Sequence, residues 1–541
     1  MTDAMAKEEK KSTVREGRGR SSVGGPEGPR VPSGVGGPET PGPAVRRVPS
    51  AQIPPRRTLY LGLLFLSCVP FRGMLDNWLF NDDFSWLRAA RHDMTWGNLF
   101  GFQVVEFFRP LVNLSFYLTE KAAPGGVSLQ YACNLALHFL CTLLVFHVIL
   151  NVLNHARIAA AAAALFALTS VHSGAVLWIS ARTTLLATCF LLASLAILTS
   201  RAGTAALRIA GSIALYILAL ASKEEAIAGM FLVGLLFMLG RKEKGTVSAA
   251  ALGAFAAASI LYLLARHAFM GGIVRENWGP GAHAMRNVAG GTLFQLYPWP
   301  LMSLAYPRGT YLPEPAGNLM PEILAVPLLA LLIWGGYATR RSYAVNLAVG
   351  WMLLSLLPAS FFRYRFFSTV SISQDRYYYL SSVGAMLLIV LFLSMLWNRR
   401  SRLRRAAAAC AFIILCAGYL LRDTRLERKW DDFTRMYREV VEAIKEESGA
   451  FSGTTTLAVE DAPLAFPYLG DAIALEMPGW KAVEVTGGRS AAERFAPCLY
   501  VSYTGEKPKL MRMERVNPAP ADEKGIEQGP TSRERAKAGA S

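Results

Sequence analysis

Charged side chains are scarce in this sequence. Only 18% of its 541 residues are Asp, Glu, Lys or Arg, whereas 52% are hydrophobic, and the mean hydropathy is +0.29. Soluble globular domains carry about 25% charged residues, so this balance argues against that class. Burial of the apolar side chains in a lipid bilayer is the simpler explanation, and we treat the chain as an integral membrane protein.

Cysteine is also sparse. All but one of the 7 cysteines lie in or beside apolar runs. The absence of a cysteine framework and of any Cys-x-x-Cys pair excludes a disulfide-stapled secreted domain and a cysteine zinc site. Acidic residues are few as well, 39 against 56 Lys and Arg, for a net charge of +17. Because the basic residues form short clusters between apolar runs, their excess indicates membrane topology, and we expect no nucleic-acid partner.

Residues 1–57 almost lack large apolar side chains. They are rich in Gly, Pro, Ser and Arg and cannot offset the entropy of ordering, so we predict a disordered basic tail in the cytoplasm. The apolar run from Leu59 to Leu75 lies too far from the start for a secretory signal and lacks a small-x-small cleavage site. It is predicted to be a retained signal anchor. Residues 517–541 are predicted to form a second disordered tail.

Ten further apolar runs approach the length of a transmembrane helix, about 20 residues. With the anchor they predict about 11 membrane spans. The piece from Val288 to Leu304 is interrupted by Pro298 and Pro300 and is predicted to be re-entrant or interfacial. The ten runs lie at 129–152, 158–173, 174–199, 205–221, 225–240, 246–268, 321–339, 343–360, 380–397 and 405–421.

If successive spans cross the membrane in alternating directions, the loops on one side are basic and those on the other side are mixed or acidic. With the N-terminus in the cytoplasm, every cytoplasmic loop is basic, as the positive-inside rule requires. The high Ala, Arg and Gly content further indicates a bacterial inner (plasma) membrane. The predicted cytoplasmic loops are 154–157, 201–208, 241–244, 340–341 and 399–405, and the predicted outer loops are 76–121, the turn at His172, 222–225, 269–320 and 361–379.

After Leu421 the sequence changes to a soluble character. Residues 423–447 have the pattern of an amphipathic helix, and short strand patterns follow around a helical stretch at 467–477. The predicted strands are 455–459, 481–485 and 498–503. The predicted fold is therefore an all-α polytopic membrane protein over residues 58–421, with a long first outer loop at 76–128 and a small extracytoplasmic α/β domain at 422–516.

The first outer loop carries the acidic pair Asp82 and Asp83 close to a membrane span. Such a pair can act as a general base or bind a metal where a lipid-borne substrate meets water. An equally weighted alternative is a helix N-terminus at which Asp82 caps free backbone N–H groups.

Other polar groups lie at the outer ends of spans, where ionisable side chains are costly and indicate function. Arg182 is the best candidate to bind a phosphate, because its planar fork pairs with two phosphate oxygens. A lone histidine such as His172 is more often structural. Lys223 and Glu224 are favoured to flank a helix turn. Arg376 is a second phosphate candidate, whereas the tyrosines that follow it are alternatively an aromatic belt.

Several short motifs follow one another in a fixed order over residues 58–397. They are Asp82-Asp83, Phe108–Phe116, Asn134–His138, Ala164–Leu168, Val171-His172-Ser173, Trp178–Arg182, Ser222-Lys223-Glu224 and Asp375–Leu380. In this order they resemble the GT-C superfamily of polyprenyl-phosphate-sugar glycosyltransferases. The likeness is greatest to the membrane part of the transmembrane-and-tetratricopeptide-repeat O-mannosyltransferase family and its bacterial relatives.

The resemblance implies an enzyme that moves a sugar from a polyprenyl-phosphate donor to a protein or glycan acceptor on the extracytoplasmic face. It implies that Asp82 or Asp83 is the catalytic carboxylate that deprotonates the acceptor. Basic and aromatic residues at the outer ends of the spans would bind the lipid phosphate and stabilise it as it departs. The implied binding residues are Arg109, Arg182, Lys223 and Arg376, with His172, Glu224, Tyr377 and Tyr379 beside them.

Two acidic residues of the family pattern are missing. Gly174 stands where the family has Glu, and Thr184 where it has Asp. These losses weaken a metal-dependent mechanism, so no cofactor is assigned and a divalent metal is not supported. They also keep open a catalytically silent GT-C-like scaffold. A transporter is less favoured, since the sequence shows neither mid-span charges nor inverted repeats. No repeat of about 34 residues follows Leu421, so acceptor recognition would belong to the small C-terminal domain.

Overall fold

Helices make up most of the chain that the computed structural model describes, namely residues 55–104, 107–240, 247–270, 342–362, 376–397, 401–449, 456–460, 468–485, 489–503 and 511–517. The two predicted tails, apart from their inner ends, lie outside these ranges, as do the piece at 288–304 and the predicted span at 321–339. The α-helices are α1 (Arg56–Cys68), α2 (Asp83–Arg88), α3 (Pro110–Ala122), α4 (Val127–Leu153), α5 (Ala156–Leu168), α6 (Ser173–Val176), α7 (Arg182–Thr199), α8 (Ala205–Ser222), α9 (Ala228–Gly240), α10 (Ala249–Met270), α11 (Tyr343–Phe362), α12 (Ser382–Trp397), α13 (Arg402–Gly449), α14 (Leu469–Glu476) and α15 (Arg489–Ala492).

The described helices make this a multi-pass membrane protein. Five of them are long and apolar enough to cross a bilayer, and α5 with the bent segment Ser170–Val176 forms a sixth if the pair is one span. Helices α1 and α9 have 13 residues each, which is short for a span of about 20 residues. The five long helical segments are Val127–Leu153, Ile179–Thr199, Ala205–Ser222, Ala249–Phe269 and Arg402–Gly449.

Hydrogen bonds between helices define two ends of the bundle. The start of α4 meets the start of α7, where Arg182 donates to Gln130, and the end of α4 meets the end of α7, where Asn151 donates to Ala196. Helix α8 returns beside α7, so that Lys223, just after its last residue, meets Thr184. The linkers 154–157 and 201–208 therefore lie at one end of the bundle. The loops with the candidate site residues lie at the other.

Two helix boundaries differ from those expected from hydropathy. Helix α1 ends at Cys68 and continues as a 3₁₀ turn over Val69–Phe71, because Pro70 has no N–H to extend the helical ladder. The predicted turn at His172 coincides with a 3₁₀ turn over Ser170–His172. The span that was predicted to begin at residue 174 begins instead at Ile179, since Trp178 adopts an extended backbone before it.

Helix α13 joins two segments that the sequence pattern separates. A span at 405–421 and an amphipathic helix at 423–447 were predicted, but Arg402–Gly449 is one helix of 48 residues. Neither Gly nor Pro interrupts the chain between them, so the helical hydrogen bonds continue. At 1.5 Å per residue the helix is about 72 Å long, more than twice the thickness of a bilayer core.

The C-terminal part contains a four-stranded sheet in the order β2-β1-β3-β4. Strands β1 (Thr456–Glu460), β2 (Lys481–Val485) and β3 (Cys498–Tyr503) are parallel, and β4 (Met511–Val516) pairs antiparallel with β3. The first three strands and α14 match the predicted elements within two residues. Strand β4 was not predicted, because its charged residues give it the polar character of an edge strand.

Two large apolar clusters hold most of the described elements together, and a smaller one lies between the sheet and α15. One fills the space between the helices α1, α4, α5 and α7–α12. The other joins the first outer loop to the second half of α13 and to the sheet, with Phe80 and Phe84 packed against Tyr437. This second cluster fixes the position of the loop that carries the acidic pair.

Candidate active site

The two acidic residues of the first loop have different environments. Asn81 takes a left-handed backbone conformation (φ 56°), and helix α2 begins two residues later. Asp82 occupies the N-cap position and is partly exposed, but its side chain makes no capping hydrogen bond. Asp83 is fully buried. Asp82 is thus partly accessible to solvent, whereas Asp83 is enclosed by the protein.

Asp83 links the first loop to the turn before α7. Its Oδ1 accepts from the Ser180 N–H at 2.7 Å and from the Ser180 hydroxyl at 2.5 Å, and its Oδ2 accepts from the Phe80 N–H at 3.0 Å. Burial, and next the charge of Asp82, raise the pKa of Asp83 to about 8, although these hydrogen bonds favour the charged form. Asp83 is therefore a buried residue that links these two segments, and with this pKa its carboxyl group is largely protonated at neutral pH.

Arg182 lies at the start of α7 and is fully buried. Its Nη2 donates to both oxygens of Gln130, each at 2.8 Å, and its Nε donates to Asn134 Oδ1 at 3.1 Å. Its Nη1 lies 3.4 Å from the hydroxyls of Ser115 and Thr119. The guanidinium is thus surrounded by acceptors of α3 and α4, which leaves it directed at the protein and not at a ligand.

His172 and Tyr379 belong to a buried aromatic cluster behind the site. The His172 and Tyr379 rings lie 4.3 Å apart, and the Tyr379 hydroxyl is 2.8 Å from Nδ1 of His138. His172 Nε2 is 2.8 Å from the hydroxyl of Ser382, at the start of α12. Both side chains are fully buried. Their contacts join α4, α5 and α12 and position the residues that precede α12.

Arg109 and Glu224 form a buried ion pair. Arg109 stands just before α3, and its Nη2 lies 2.9 and 3.2 Å from the two carboxylate oxygens of Glu224, on the turn after α8. The guanidinium also covers the Phe107 ring at 3.9 Å. Although burial opposes it, the charge of Arg109 holds the pKa of Glu224 well below its usual range. The pair joins the first loop to the turn that carries Lys223.

Lys223 and Arg376 both contact one aromatic ring. The Lys223 ammonium is 4.7 Å from the centre of the Tyr377 ring, and the Arg376 guanidinium is 5.0 Å from it. Lys223 Nζ donates to Thr184 Oγ1 and pairs with Glu225, both at 2.9 Å. Burial is the main cause that lowers the pKa of Lys223 to about 8, and the charges of Arg376 and Arg109 add to it.

Trp178 connects these cations to the acidic pair. The Arg376 guanidinium stacks 4.1 Å from the centre of the Trp178 ring. Trp178 stands two residues before Ser180, which holds Asp83, and its ring contacts Phe80 at 5.7 Å. A continuous series of contacts thus runs from Asp83 to Lys223. A cleft beside Lys223, Arg376 and Tyr377 is lined further by Thr184, Thr188, Ser355 and Glu225.

An acidic side chain from elsewhere in the chain lies near each of the two positions, Gly174 and Thr184, at which the family pattern has an acid. Next to Gly174, the Ser173 hydroxyl donates at 3.0 Å to Asp423, a fully buried residue of α13. Next to Thr184, Glu225 contacts the same Lys223 ammonium. Glu225 was the last residue of the predicted outer loop 222–225. Asp423 follows Ser173 by 250 residues, and no local pattern predicts that contact.

Within the described ranges, no group of three or more His, Cys, Asp or Glu side chains is arranged to hold a metal ion.

Comparison with solved structures finds similarity to an oligosaccharyltransferase and to ArnT. The chain is similar to the oligosaccharyltransferase of Archaeoglobus fulgidus tethered with an acceptor peptide, at 14% identity and a TM-score of 0.45 over 81% of this chain and 65% of that one. It is also similar to ArnT from Cupriavidus metallidurans bound to undecaprenyl phosphate, at 11% identity and a TM-score of 0.46 over 83% of this chain and 93% of that one. The apo state of ArnT gives 12% identity and a TM-score of 0.43 over the same shares.

The chain spans less than two thirds of the length of the archaeal enzyme. No family model matches the sequence, and a comparison with curated proteins finds no significant match.

Proposed function

We propose that this protein is a GT-C-type glycosyltransferase that moves a sugar from a polyprenyl-phosphate donor to an extracytoplasmic acceptor. One observation carries the proposal. Lys223 and Arg376 both contact the Tyr377 ring, at the end of the helix bundle that also bears the partly exposed Asp82. A phosphate with a lipid tail would meet two cations there, and an acceptor would meet a carboxylate.

The two cations have complementary roles in this proposal. Arg376 presents a planar fork that matches two phosphate oxygens, whereas Lys223 is a point charge. The rings of Trp178 and Tyr377 hold the Arg376 guanidinium in place by cation–π contacts. Because the aromatic rings fix the cations beforehand, little reorganisation is needed when negative charge develops on the phosphate.

In the proposed reaction the acceptor hydroxyl attacks the anomeric carbon of the donor sugar. A bond forms between the acceptor oxygen and that carbon, and the bond from the carbon to the phosphate oxygen breaks. The electron pair leaves with the polyprenyl phosphate, next to Lys223 and Arg376. Asp82 takes the acceptor proton as general base. We assign this role to Asp82 because Asp83 is fully buried and hydrogen-bonded to Ser180 and Phe80.

The remaining predicted residues position these groups. Asp83 ties the loop of Asp82 to the turn of Trp178 and Ser180. The Arg109–Glu224 pair ties the first loop to the turn of Lys223. Arg182, His172 and Tyr379 bind protein groups behind the site. Their loss would disturb the geometry of the site without removing a group that touches substrate.

The experiment compares glycans and lipid-linked sugars, by mass spectrometry, in cells that produce the wild-type protein or Asp82→Asn. We expect the donor lipid to accumulate and transfer to fall at least about a hundredfold, the usual effect of losing a general base. Asp432→Asn, an exposed position on α13, is the matched control and should leave transfer unchanged. Full transfer by a folded Asp82→Asn, Asp83→Asn double variant would rule out the proposed role of the pair.

A catalytically silent scaffold is the second candidate. It is favoured by Thr184, which stands in place of an acid and accepts a hydrogen bond from Lys223, so that this cation is already engaged by protein groups. On this alternative, purified wild-type protein binds a polyprenyl phosphate, but cells without the gene have the same glycans as cells with it.

A further inference from the structure

The Lys223 ammonium is paired with an acid at the proposed phosphate site. Its Nζ lies 2.9 Å from Glu225 Oε2 and donates at 2.9 Å to Thr184 Oγ1. Two of the three donors of the ammonium are therefore engaged by protein oxygens. A carboxylate oxygen next to Lys223 occupies the kind of position that a phosphate oxygen of the donor lipid needs. Glu225 is thus placed to compete with that phosphate for one cation.

Two consecutive acids on the turn after α8 have different partners. Lys223 has an extended backbone, and a 3₁₀ turn over Glu224–Ile227 follows it. The Glu224 carboxylate is buried against Arg109, whose Nη2 lies 2.9 Å away. The Glu225 side chain is 20% exposed, whereas that of Lys223 is 4% exposed. Glu225 is therefore the more accessible member of its ion pair and the one that can turn toward solvent.

The cleft beside Lys223 is nearly closed in this arrangement. Its volume is about 20 Å³, which is enough for about one water molecule and too little for a phosphate group. A phosphate therefore reaches Lys223 only when a lining side chain moves. Among the described residues that line the cleft, Glu225 is the only acid. Its displacement both opens the cleft and moves a negative charge away from the incoming phosphate.

We propose that Glu225 is a specificity-determining residue that shifts the preference of the site from a phosphate monoester toward a phosphodiester. The inference rests on the proposed function. A sugar joined to a polyprenyl phosphate is a diester with one negative charge. The polyprenyl phosphate that leaves is a monoester, which carries nearly two negative charges above its second pKa of about 6.

The charge difference lets one carboxylate act differently on donor and product. Glu225 gives way to the incoming phosphate but, two residues from Lys223, stays close enough to repel it. Coulomb repulsion grows in proportion to the charge of the phosphate. Glu225 therefore disfavours the product more than the donor, and so promotes release of the polyprenyl phosphate after transfer.

The test measures binding to full-length purified protein in detergent at pH 6.5 by isothermal titration. The probes are farnesyl phosphate, a monoester, and farnesyl methyl phosphate, a diester with the same chain. Glu225→Gln keeps the shape of the side chain and an acceptor for Lys223 but removes the charge. We expect this variant to bind the monoester roughly tenfold and the diester roughly threefold more tightly than the wild-type protein, as loss of repulsion at about 6 Å in a largely aqueous environment predicts.

Two further proteins serve as controls. Glu446→Gln removes an exposed acid of α13 outside the cleft lining and should leave both affinities unchanged. Burial lowers the pKa of Lys223, but the charge of Glu225 raises it, so Glu225→Gln also makes Lys223 easier to deprotonate. The comparison is therefore repeated in a Lys223→Arg background, whose cation keeps its charge. The monoester should again gain more than the diester.

The results separate this inference from the proposed function. Equal gains for the two probes, or no gain in a folded Glu225→Gln variant, would overturn discrimination by Glu225 and leave the proposed phosphate site intact. Weaker binding by the variant would overturn it as well, because Glu225 would then only hold Lys223 in place. If the wild-type protein and the variant bind neither probe, the proposed function and this inference fail together.

Discussion

Arg182 and Arg376 are both arginines at the same end of the helix bundle, but their surroundings differ. Arg182 is fully buried and donates to Gln130 and Asn134. Arg376 is partly exposed and stacks on Trp178. The residue types and their spacing make both of them phosphate candidates. Only the packing of α3 and α4 around Arg182 separates a structural arginine from one that can meet a ligand.

Removal of the Arg182 guanidinium should therefore reduce stability more than binding. In Arg182→Gln several buried acceptors lose their donor, each at about 1–3 kcal/mol. We expect a lower melting temperature and lower yield, while the folded fraction still binds a polyprenyl phosphate. In Arg376→Gln we expect the opposite pattern, with a nearly unchanged melting temperature and weakened binding. A folded Arg182→Gln variant that binds no lipid phosphate would contradict the structural role.

Asp83 makes a pH-dependent contribution to stability. Its pKa is about 8 in the folded protein against 3.8 for an ordinary Asp, so between about pH 4 and pH 8 the folded state holds a proton that the unfolded state releases. Stability then falls as pH rises through this window, by up to about 1.4 kcal/mol per pH unit. We expect the melting temperature to be higher at pH 6 than at pH 8.

Asp83→Asn should remove that slope, because an amide does not titrate. Melting curves in detergent at several pH values compare the wild-type protein, Asp83→Asn and the exposed control Asp432→Asn. The control should keep the wild-type slope. An Asp83→Asn variant with the wild-type slope would show that other groups cause it.

At the scale of elements, the turn after α8 carries a second titratable group. The pKa of Lys223 is about 8, so its charge is lost as pH rises above that value, while a phosphate monoester stays dianionic. If binding needs the charged form, the affinity for a polyprenyl phosphate should fall roughly tenfold between pH 7 and pH 9. Lys223→Arg keeps its charge throughout.

Titration of the purified protein with a short-chain polyprenyl phosphate at pH 7, 8 and 9 checks this expectation. The wild-type affinity should decrease across the series and that of Lys223→Arg should not. Equal pH dependence in both proteins would assign the titration to another group.

The elements also show where local sequence patterns are sufficient. Long apolar runs predict α4, α8 and α10 well, because burial in lipid and helical hydrogen bonding act on the same local segment. Strand β4 and the unbroken α13 were missed, since an edge strand and a helix leaving the membrane both have polar sequences. The contact of Asp423 with Ser173 depends on how α13 packs, which no local pattern encodes.

At the scale of the whole molecule, the charge pattern of the sequence and the contacts of the structure divide in the same way those loops that the structure describes. The linkers 154–157 and 201–208 lie at one end of the helix bundle. Asp82, Trp178, Lys223 and Arg376 lie at the other. This division of the loops could be predicted from the alternation of spans and the positive-inside rule alone. Which residues contact one another at the end with the candidate site could be seen only from the tertiary structure.

Which end faces the cytoplasm is a prediction of the same charge rule. We expect the basic linkers to be cytoplasmic and the site end, with the second half of α13, to be extracytoplasmic. In a background without the native cysteines, Asp432→Cys in α13 should react with a membrane-impermeant maleimide in intact spheroplasts. Arg201→Cys, in a basic linker, should react only after lysis. Both positions are exposed, so accessibility to solvent alone does not distinguish them. The reverse labelling pattern would place Asp82, Lys223 and Arg376 in the cytoplasm, and the proposed transfer to an extracytoplasmic acceptor would then fail together with the predicted orientation.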